Sequence, residues 1–468
     1  MIQRSLDWRF ELLRGPAGSG GLVVDLFAGG GGASAGIEAA LGRPIDIALN
    51  HDPVALAVHK KNHPDALHLE ASVWEVLPED VTKGRPVDLL WASPDCTHFS
   101  KAKGDVPKRQ DIRSLAWAVV RWAKAVKPAV IMVENVTEFR SWGPLGDDGR
   151  PQKDRLGQTF KRWRSTLQNL GYVVDARVLD ASEYGAPTRR KRLFIVARCD
   201  GQPICWPLKT HGKDLLPTRS AAECIQWDVP VPSIFDRKRP LAEKTLARIA
   251  AGIKRYVLEA DEPFVVEGAA QSLIQTGWGE REGQHPRCLD IHKPLGTVPA
   301  GGVKHALVSA FLARHFGGVV GKDMREPIPT ITAKDHHSLA TATLEPACGA
   351  EATKVPQVRA FLTTYYGSDG TGGQGLDEPM RTIRSKDCLG LVYVAGEEYQ
   401  IVDIGMRMLE PGELLRAQFG RFADHYDMRE ARTKTAKVRL IGNSVCPEVA
   451  EALVAVNNPT ETEEEAAA

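Results

Sequence analysis

At 468 residues, with 43% apolar and 25% charged side chains, the chain has a soluble globular composition and is long enough for two domains. A net charge of +1 excludes a globally basic nucleic-acid binder but leaves room for a local basic groove. Eight cysteines without a Cys-x-x-Cys pair argue against a disulfide framework and point to free thiols in a reducing cytoplasm.

The opening MIQRSLDWRF has no signal-peptide core, and no apolar run reaches the ~20 residues of a membrane helix. From residue 21 to about 200, short apolar runs alternate with helical patterns. GLVVDLF precedes ASAGIEAAL, IDIALN precedes DPVALAVHKKNH, and VDLLWAS precedes IRSLAWAVVRWAKAV. PAVIMVEN, the helical RLGQTFKRWRSTLQNLG, YVVDARVLDAS and RLFIVARC follow. This alternation predicts an α/β fold, a mostly parallel sheet with helices on both faces. After residue 205 the pattern becomes rich in Gly, Pro and Thr. KPLGTVPAGGVKHALV, EPIPTITAKDHHSLAT and EPMRTIRSKDCLGLV share the skeleton Pro-x-x-Thr-(Val/Ile), which predicts a smaller β-rich lobe of loose repeats. Helical patterns return in LEPGELLRAQFG and SVCPEVAEALVAV, whereas RLIGNSV reads as a strand ending in a turn. The expected division is a catalytic domain over 1–204, an inserted lobe over 205–402, returning elements over 403–457 and an acidic, disordered tail over 458–468.

In such sheets, ligands bind at the carboxyl ends of the strands, and the unusual residues cluster there. Asp25, Phe27, Gly29 and Gly31 close the first strand and open a helix, either as a close-approach ligand site or as a tight strand–helix turn. Asn50, His51 and Asp52 close the next, and Asp52 before Pro53 reads equally as a ligand group or a helix N-cap. Cys96, in SPDCTHFS, is a candidate nucleophile or a buried thiol; zinc lacks the further ligands it needs. Glu134, at the end of a buried strand, is a candidate proton donor or a structural hydrogen-bond partner. Arg190 and Arg192 share one face of an extended segment, as a functional pair or a surface charge cluster.

Taken in order, these motifs resemble the cytosine-C5-specific DNA methyltransferases of bacterial and phage type. DLFAGGGG resembles their cofactor motif, SPDCTHFS their Pro-Pro-Cys-Gln motif, ENV their catalytic carboxylate motif, and PTRRKR their Gln-x-Arg-x-Arg. LEPGELLRAQFG and IGNSVCPEVAEAL resemble the last two motifs. The resemblance implies a Rossmann-like fold dependent on S-adenosyl-L-methionine, with the cofactor held by Asp25, Phe27, Gly29, Gly31, Asn50, His51, Asp52, Ser72, Val73, Pro94, Asn443, Ser444 and Val445. It implies Cys96 as nucleophile, Glu134 as acid, Arg190 as the ligand of the base's O2 and Arg192 as support, with no metal. The substrate would be a cytosine flipped out of double-stranded DNA. Ser100, Lys101, Lys103, Lys108 and Arg109 would form a loop closing on the phosphates, and the inserted lobe would read the sequence. A monomer in the bacterial cytoplasm is the expected form, with a cognate restriction endonuclease as a candidate companion. The sequence departs from the family pattern at Asn50, Ser72, Asp95, Thr97, Thr188 and Cys446. The alternatives are the same chemistry on transfer RNA, whose enzymes have a short variable region, and a DNA-binding regulator that has lost methyl transfer.

Overall fold

The computed structural model describes residues 20–95, 115–266, 269–276, 283–314, 357, 361, 391–394 and 397–457. In chain order, the first elements are β1 (Leu22–Leu26), α1 (Gly32–Leu41), β2 (Ile47–Asn50), α2 (Pro53–Asn62), β3 (Leu67–Glu70), α3 (Pro78–Thr82) and β4 (Val87–Ala92). They continue with α4 (Trp117–Val126), β5 (Val130–Asn135), α5 (Gln158–Asn169), β6 (Val173–Asp180), β7 (Thr188–Arg189) and β8 (Lys191–Arg198). The order across the sheet is β3-β2-β1-β4-β5-β8-β6. The first five strands run parallel, and β8 inserts antiparallel between β5 and β6. No helix separates β6 from β8, only a 3-10 turn and the short β7. An antiparallel return therefore replaces a crossover there.

The strands are buried because both faces are covered. Val24, Leu26, Leu49, Leu90 and Val133 pack on one side with Trp122 and Trp163. Val23, Ala48, Trp91 and Met132 pack on the other with Ile37, Val449 and Leu453.

The chain next forms α6 (Glu243–Ile253), β9 (Val265–Val266), β10 (Ala269–Gln275), β11 (Cys288–Leu289), β12 (Leu295–Gly296), β13 (His305–Arg314), β14 (Leu391–Val394) and β15 (Glu397–Met408). All but β12 belong to a second compact unit, residues 226–291 and 304–409. Its sheet runs β11-β10-β13-β15-β14, with β9 on β10, and every pairing is antiparallel. Ile249, Ile253, Ala270, Ile274, Val308 and Ile404 form its core. Repeat sequences 326–341 and 378–390 lie outside the described residues. The first repeat, residues 293–308, is divided: residues 292–303 lie with the first unit, where β12 pairs in parallel with β7, and 304–308 belong to the second unit and lead into β13.

The first unit comprises residues 1–225, 292–303 and 410–468, so its edges differ from the expected 204/205 and 402/403. Local hydrogen bonds explain the later first edge. Asn457 bonds both backbone groups of Cys205, and Thr210 N–H donates to Glu183 O. At the other edge, 403–408 complete the long pairing of β15 with β13. The returning elements are α7 (Pro411–Phe419), α8 (Lys434–Asn443) and α9 (Pro447–Ala455). RLIGNSV, expected as a strand, is the last turns of α8 and its exit. Thr433 caps that helix by accepting from Ala436 N–H, and Val438 and Ile441, three apart, bury one face. The apolar triplet belonged to a helical period set by the residues before it.

Candidate active site

The turn after β1 consists of backbone conformations that side chains resist. Phe27 has φ 60°, Gly29 55° and Gly31 94°, all in the left-handed region. At Gly31 a β-carbon would also lie 2.3 Å from the Tyr426 hydroxyl and 2.7 Å from His63 Nε2. The outer side of Gly29 is bare, with only Phe27 O at 3.8 Å. The turn thus leaves naked backbone at the strand ends. The glycines one turn further on serve packing. A β-carbon at Gly32 would lie 2.0 Å from Ser444 Oγ, and one at Gly36 would lie 2.3 Å from Pro447 O. The motif therefore seats α1 on α9 as well as shaping the turn.

Asp25, expected to touch a cofactor, is instead fully buried beneath this turn. It accepts a 2.7 Å hydrogen bond from Ser34 Oγ. Burial pushes its carboxyl up to about 7, with Ser34 opposing the shift and Glu38 adding to it. The unfolded chain has its ordinary carboxylate value, so the native state holds the extra proton between about 4 and about 7. Stability carried by neutral Asp25 is present below that window and falls as pH rises through it. An Asp25→Asn variant is expected to lose less melting temperature between pH 4 and pH 7 than the parent, as calorimetry would show. Glu448, buried and also raised to about 7 by desolvation, keeps part of the slope in both proteins.

At the end of β2, Asn50 Oδ1 accepts from Asp52 N–H at 2.9 Å, which leaves the Asn50 amide nitrogen as a donor. His51 is exposed. Asp52 is the N-cap of α2: its Oδ1 accepts from Val54 and Ala55 N–H, and its Oδ2 pairs with Arg439. Burial raises its carboxyl, but the hydrogen bonds from Arg439, Ala55 and Val54 outweigh this and hold it below the usual range. Ser72 Oγ accepts from Trp74 N–H, its own N–H donates to Glu75, and Val73 is buried in the core. Ser444 and Val445 are likewise buried, with Ser444 against the first turn of α1, while Asn443 is exposed. Of the expected cofactor residues, Asp25, Asp52, Val73, Ser444 and Val445 are therefore occupied in structure.

The end of β4 is tied to the end of β5. Ser93 N–H donates to Leu26 O, Ser93 Oγ accepts from Trp91 Nε1, and Asn135 Nδ2 donates to the carbonyl of buried Pro94 at 3.0 Å. Cys96 and the loop residues Ser100, Lys101, Lys103, Lys108 and Arg109 follow directly but lie outside the described residues.

Beside this tie, Glu134 is buried at the end of β5, and Arg192 Nε of β8 lies 3.2 Å from its Oε1. The pair is close enough to be ionic but is not aligned as a hydrogen bond, and Oε1 has no hydrogen-bond partner among the described residues. Arg190 is also buried, and its carbonyl accepts from Ala181 N–H. Thr188, at the family's glutamine position, is fully buried in the β7–β12 pairing. Cys446, at a family proline position, is a second thiol near these groups. Burial raises it to about 12 despite Arg190, which leaves it protonated and inert.

Several residues escaped the sequence reading: Ser34, His59, His63, His68 and Tyr426. Ser34 Oγ lies 2.9 Å from His59 Nε2, and His59 Nδ1 lies 2.8 Å from His68 Nε2. Burial lowers His59 well below its ordinary range and His68 to about 4, so both rings are neutral. The i,i+4 spacing of His59 and His63 was the one available signal, since it places both on one helix face. No group of His, Cys, Asp or Glu among the described residues could hold a metal ion.

Comparison with known proteins agrees with this arrangement. The family described as C-5 cytosine-specific DNA methylase matches residues 22–247. The type II methyltransferase M.AgeI of Thalassovita gelatinovora is 31% identical over 40% of this chain and 42% of its own length. M.SacI of Streptomyces achromogenes is 28% identical over 49% of this chain and 63% of its own. Matches to these relatives thus span less than two thirds of their length. A crystal structure of a Spodoptera frugiperda DNMT2 mutant shares the fold, with a TM-score of 0.50, 14% identity, and coverage of 94% of this chain and 100% of that one.

Proposed function

We propose that this chain, whose residues 22–247 match the C-5 cytosine-specific DNA methylase family, methylates carbon 5 of a flipped-out cytosine in double-stranded DNA, at a specific sequence. The observation that carries this reading is the buried Glu134 at a strand end, whose Oε1 lies 3.2 Å from Arg192 Nε and has no hydrogen-bond partner among the described residues. A heterocycle whose ring nitrogen must gain a proton fits that oxygen.

The residues present fit S-adenosyl-L-methionine. The bare backbone around Gly29 admits a close ligand, Phe27 offers an apolar wall, and the free Asn50 amide suits a ribose hydroxyl. His51, Ser72, Pro94 and Asn443 complete the proposed surround. Asp25, Asp52, Val73, Ser444 and Val445 act behind it, by fixing the backbone that faces the cofactor. When bound, the cofactor supplies an electrophilic methyl group.

The protein's own part is to make carbon 5 nucleophilic. The Cys96 thiolate adds to carbon 6, forming an S–C6 bond, while Glu134 places a proton on N3, so that carbon 5 becomes the nucleophilic end of an enamine. Arg190 holds the base's O2 and stabilises the charge that develops there, and Arg192 orients Glu134. After methyl transfer a base removes the carbon 5 proton, the S–C6 bond breaks and the thiol is regained. Stacking hides the target ring in a duplex, so the base must leave the helix. The basic segment from Ser100 to Arg109 would hold the phosphates, and the antiparallel unit would read the flanking sequence. A monomer working beside a cognate restriction endonuclease in the bacterial cytoplasm completes the proposal.

Methylation sequencing of a methylation-free bacterial host tests it. With the parent, 5-methylcytosine is expected in one fixed sequence context; with Cys96→Ser it should be absent. Unmodified host DNA despite soluble, folded protein would overturn the reading.

A further inference from the structure

The glycine turn is held from behind by a residue nearly 400 positions away. The Tyr426 hydroxyl donates to Gly30 O, and its oxygen lies 3.3 Å from His63 Nε2. His63 Nδ1 in turn lies 2.8 Å from Glu38 Oε2. The tyrosine spends its single proton on the Gly30 carbonyl, so toward His63 it can only accept; a carboxylate at the other nitrogen also accepts. A neutral imidazole has a single N–H, so the ring donates to one of these two acceptors at a time, and the contact that reaches the loop is the Tyr426 hydroxyl on Gly30 O.

Tyr426 is itself fixed. Its ring lies 4.7 Å from that of Phe419. The next residue, Asp427, is zipped to the end of α2: Asn62 Oδ1 accepts from its N–H, and Asn62 Nδ2 donates to its carbonyl. Burial raises the phenol well above its ordinary value, which keeps it a donor. The clearance is too small for any side chain at position 31, where a β-carbon would overlap both Tyr426 and His63.

We propose that Tyr426 and His63 form a clamp that sets the backbone of the Phe27–Gly32 turn, so that affinity for the adenosyl cofactor depends on a C-terminal side chain held behind the turn. The clamp rests on the methyltransferase reading. It makes Tyr426 and His63 positioning residues. A carbonyl released from its donor lets the turn leave the conformation that the left-handed Phe27, Gly29 and Gly31 define, and part of the binding energy would then be spent on reordering it.

The test is calorimetric titration of the full chain with S-adenosylhomocysteine, a ligand the reaction does not consume. Tyr426→Phe keeps the ring and removes only the donor. The expected result is a dissociation constant raised about tenfold, which corresponds to one lost hydrogen bond to an ordered backbone, with turnover at saturating cofactor within about threefold of the parent. A purely structural role would lower the melting temperature and leave the dissociation constant alone. An unchanged constant, within about twofold, overturns the clamp. Should Tyr426→Phe not fold, Glu38→Gln is read in its place, since Glu38 is partly exposed. Weakened cofactor binding supports the clamp and unchanged binding overturns it. A parent enzyme that fails to bind the ligand at all overturns the methyltransferase reading, a result distinct from an unaffected variant.

Discussion

A Cys96→Ser enzyme is expected to lose methyl transfer by at least about a thousandfold, since the nucleophile carries the step that makes carbon 5 reactive. A serine hydroxyl near neutrality offers almost no alkoxide, whereas a cysteine thiol ionises far more readily and is the stronger nucleophile. A loss of rate alone would not identify the chemistry. DNA carrying 5-fluorocytosine should be trapped by the parent as a covalent complex stable to denaturing electrophoresis, because fluorine cannot leave carbon 5 as a proton does. The Cys96→Ser variant should give no such band while still retarding DNA on a native gel. Cys446→Ser is the control: that thiol is buried, raised to about 12 and packed under α1 and α9. It should trap DNA as the parent does. Trapping by Cys96→Ser, or loss of trapping only in Cys446→Ser, would move the nucleophile elsewhere.

The alternation of strands and helices was legible where a buried strand is a continuous apolar run, as in β1, β2, β4 and β5, whereas β3, LHLE with only two buried residues, carried no such signal. Four of the strand ends that carry unusual residues were legible for the same reason. The antiparallel insertion of β8 was not legible. A run such as RLFIVARC reads the same in either direction, and only the absence of an intervening helix distinguishes the two. Nor could the turn residues be sorted by role. Asp25 and Asp52 both stand where a ligand would be met, yet one is sealed beneath the turn and the other is an N-cap paired to Arg439. That distinction depends on side-chain direction at a strand end, where the alternation of the pleat stops.

The C-terminal contribution was legible in outline only. IGNSVCPEVAEAL looked like a cofactor motif, and its position beside the glycine turn supports a role there. Its residues nevertheless act mainly as packing partners: Ser444 and Pro447 fill the space that Gly32 and Gly36 leave empty. Tyr426 carried no signal at all, since nothing in DHYDM marks a tyrosine that will meet Gly30. Contacts between residues hundreds of positions apart have no local pattern, and here they decide how the turn is held.

Glu134→Gln is the second substitution with a large expected effect, a fall in turnover of about a hundredfold to ten-thousandfold, the usual worth of a placed proton donor. The amide keeps the size of the carboxyl and can still accept a contact from Arg192, so the variant should fold and bind DNA. It cannot release a proton to N3, and without that proton the ring resists addition of the thiol. The loss should therefore fall on formation of the fluorocytosine complex as well as on methylation, both slowed in the same proportion. Cofactor binding should not change, because the proposed partner of Glu134 is the base and not the cofactor. That split separates Glu134 from Tyr426, whose removal is expected to weaken cofactor binding and spare turnover at saturation. If Glu134→Gln trapped fluorinated DNA at the parent's rate and lost only the later steps, the carboxyl would act after addition, in removal of the carbon 5 proton. The buried Glu134 oxygen beside Arg192, without a hydrogen-bond partner among the described residues, favours the earlier role: in the proposed reading it meets a ring nitrogen, and proton removal at carbon 5 needs a group on another edge of the base.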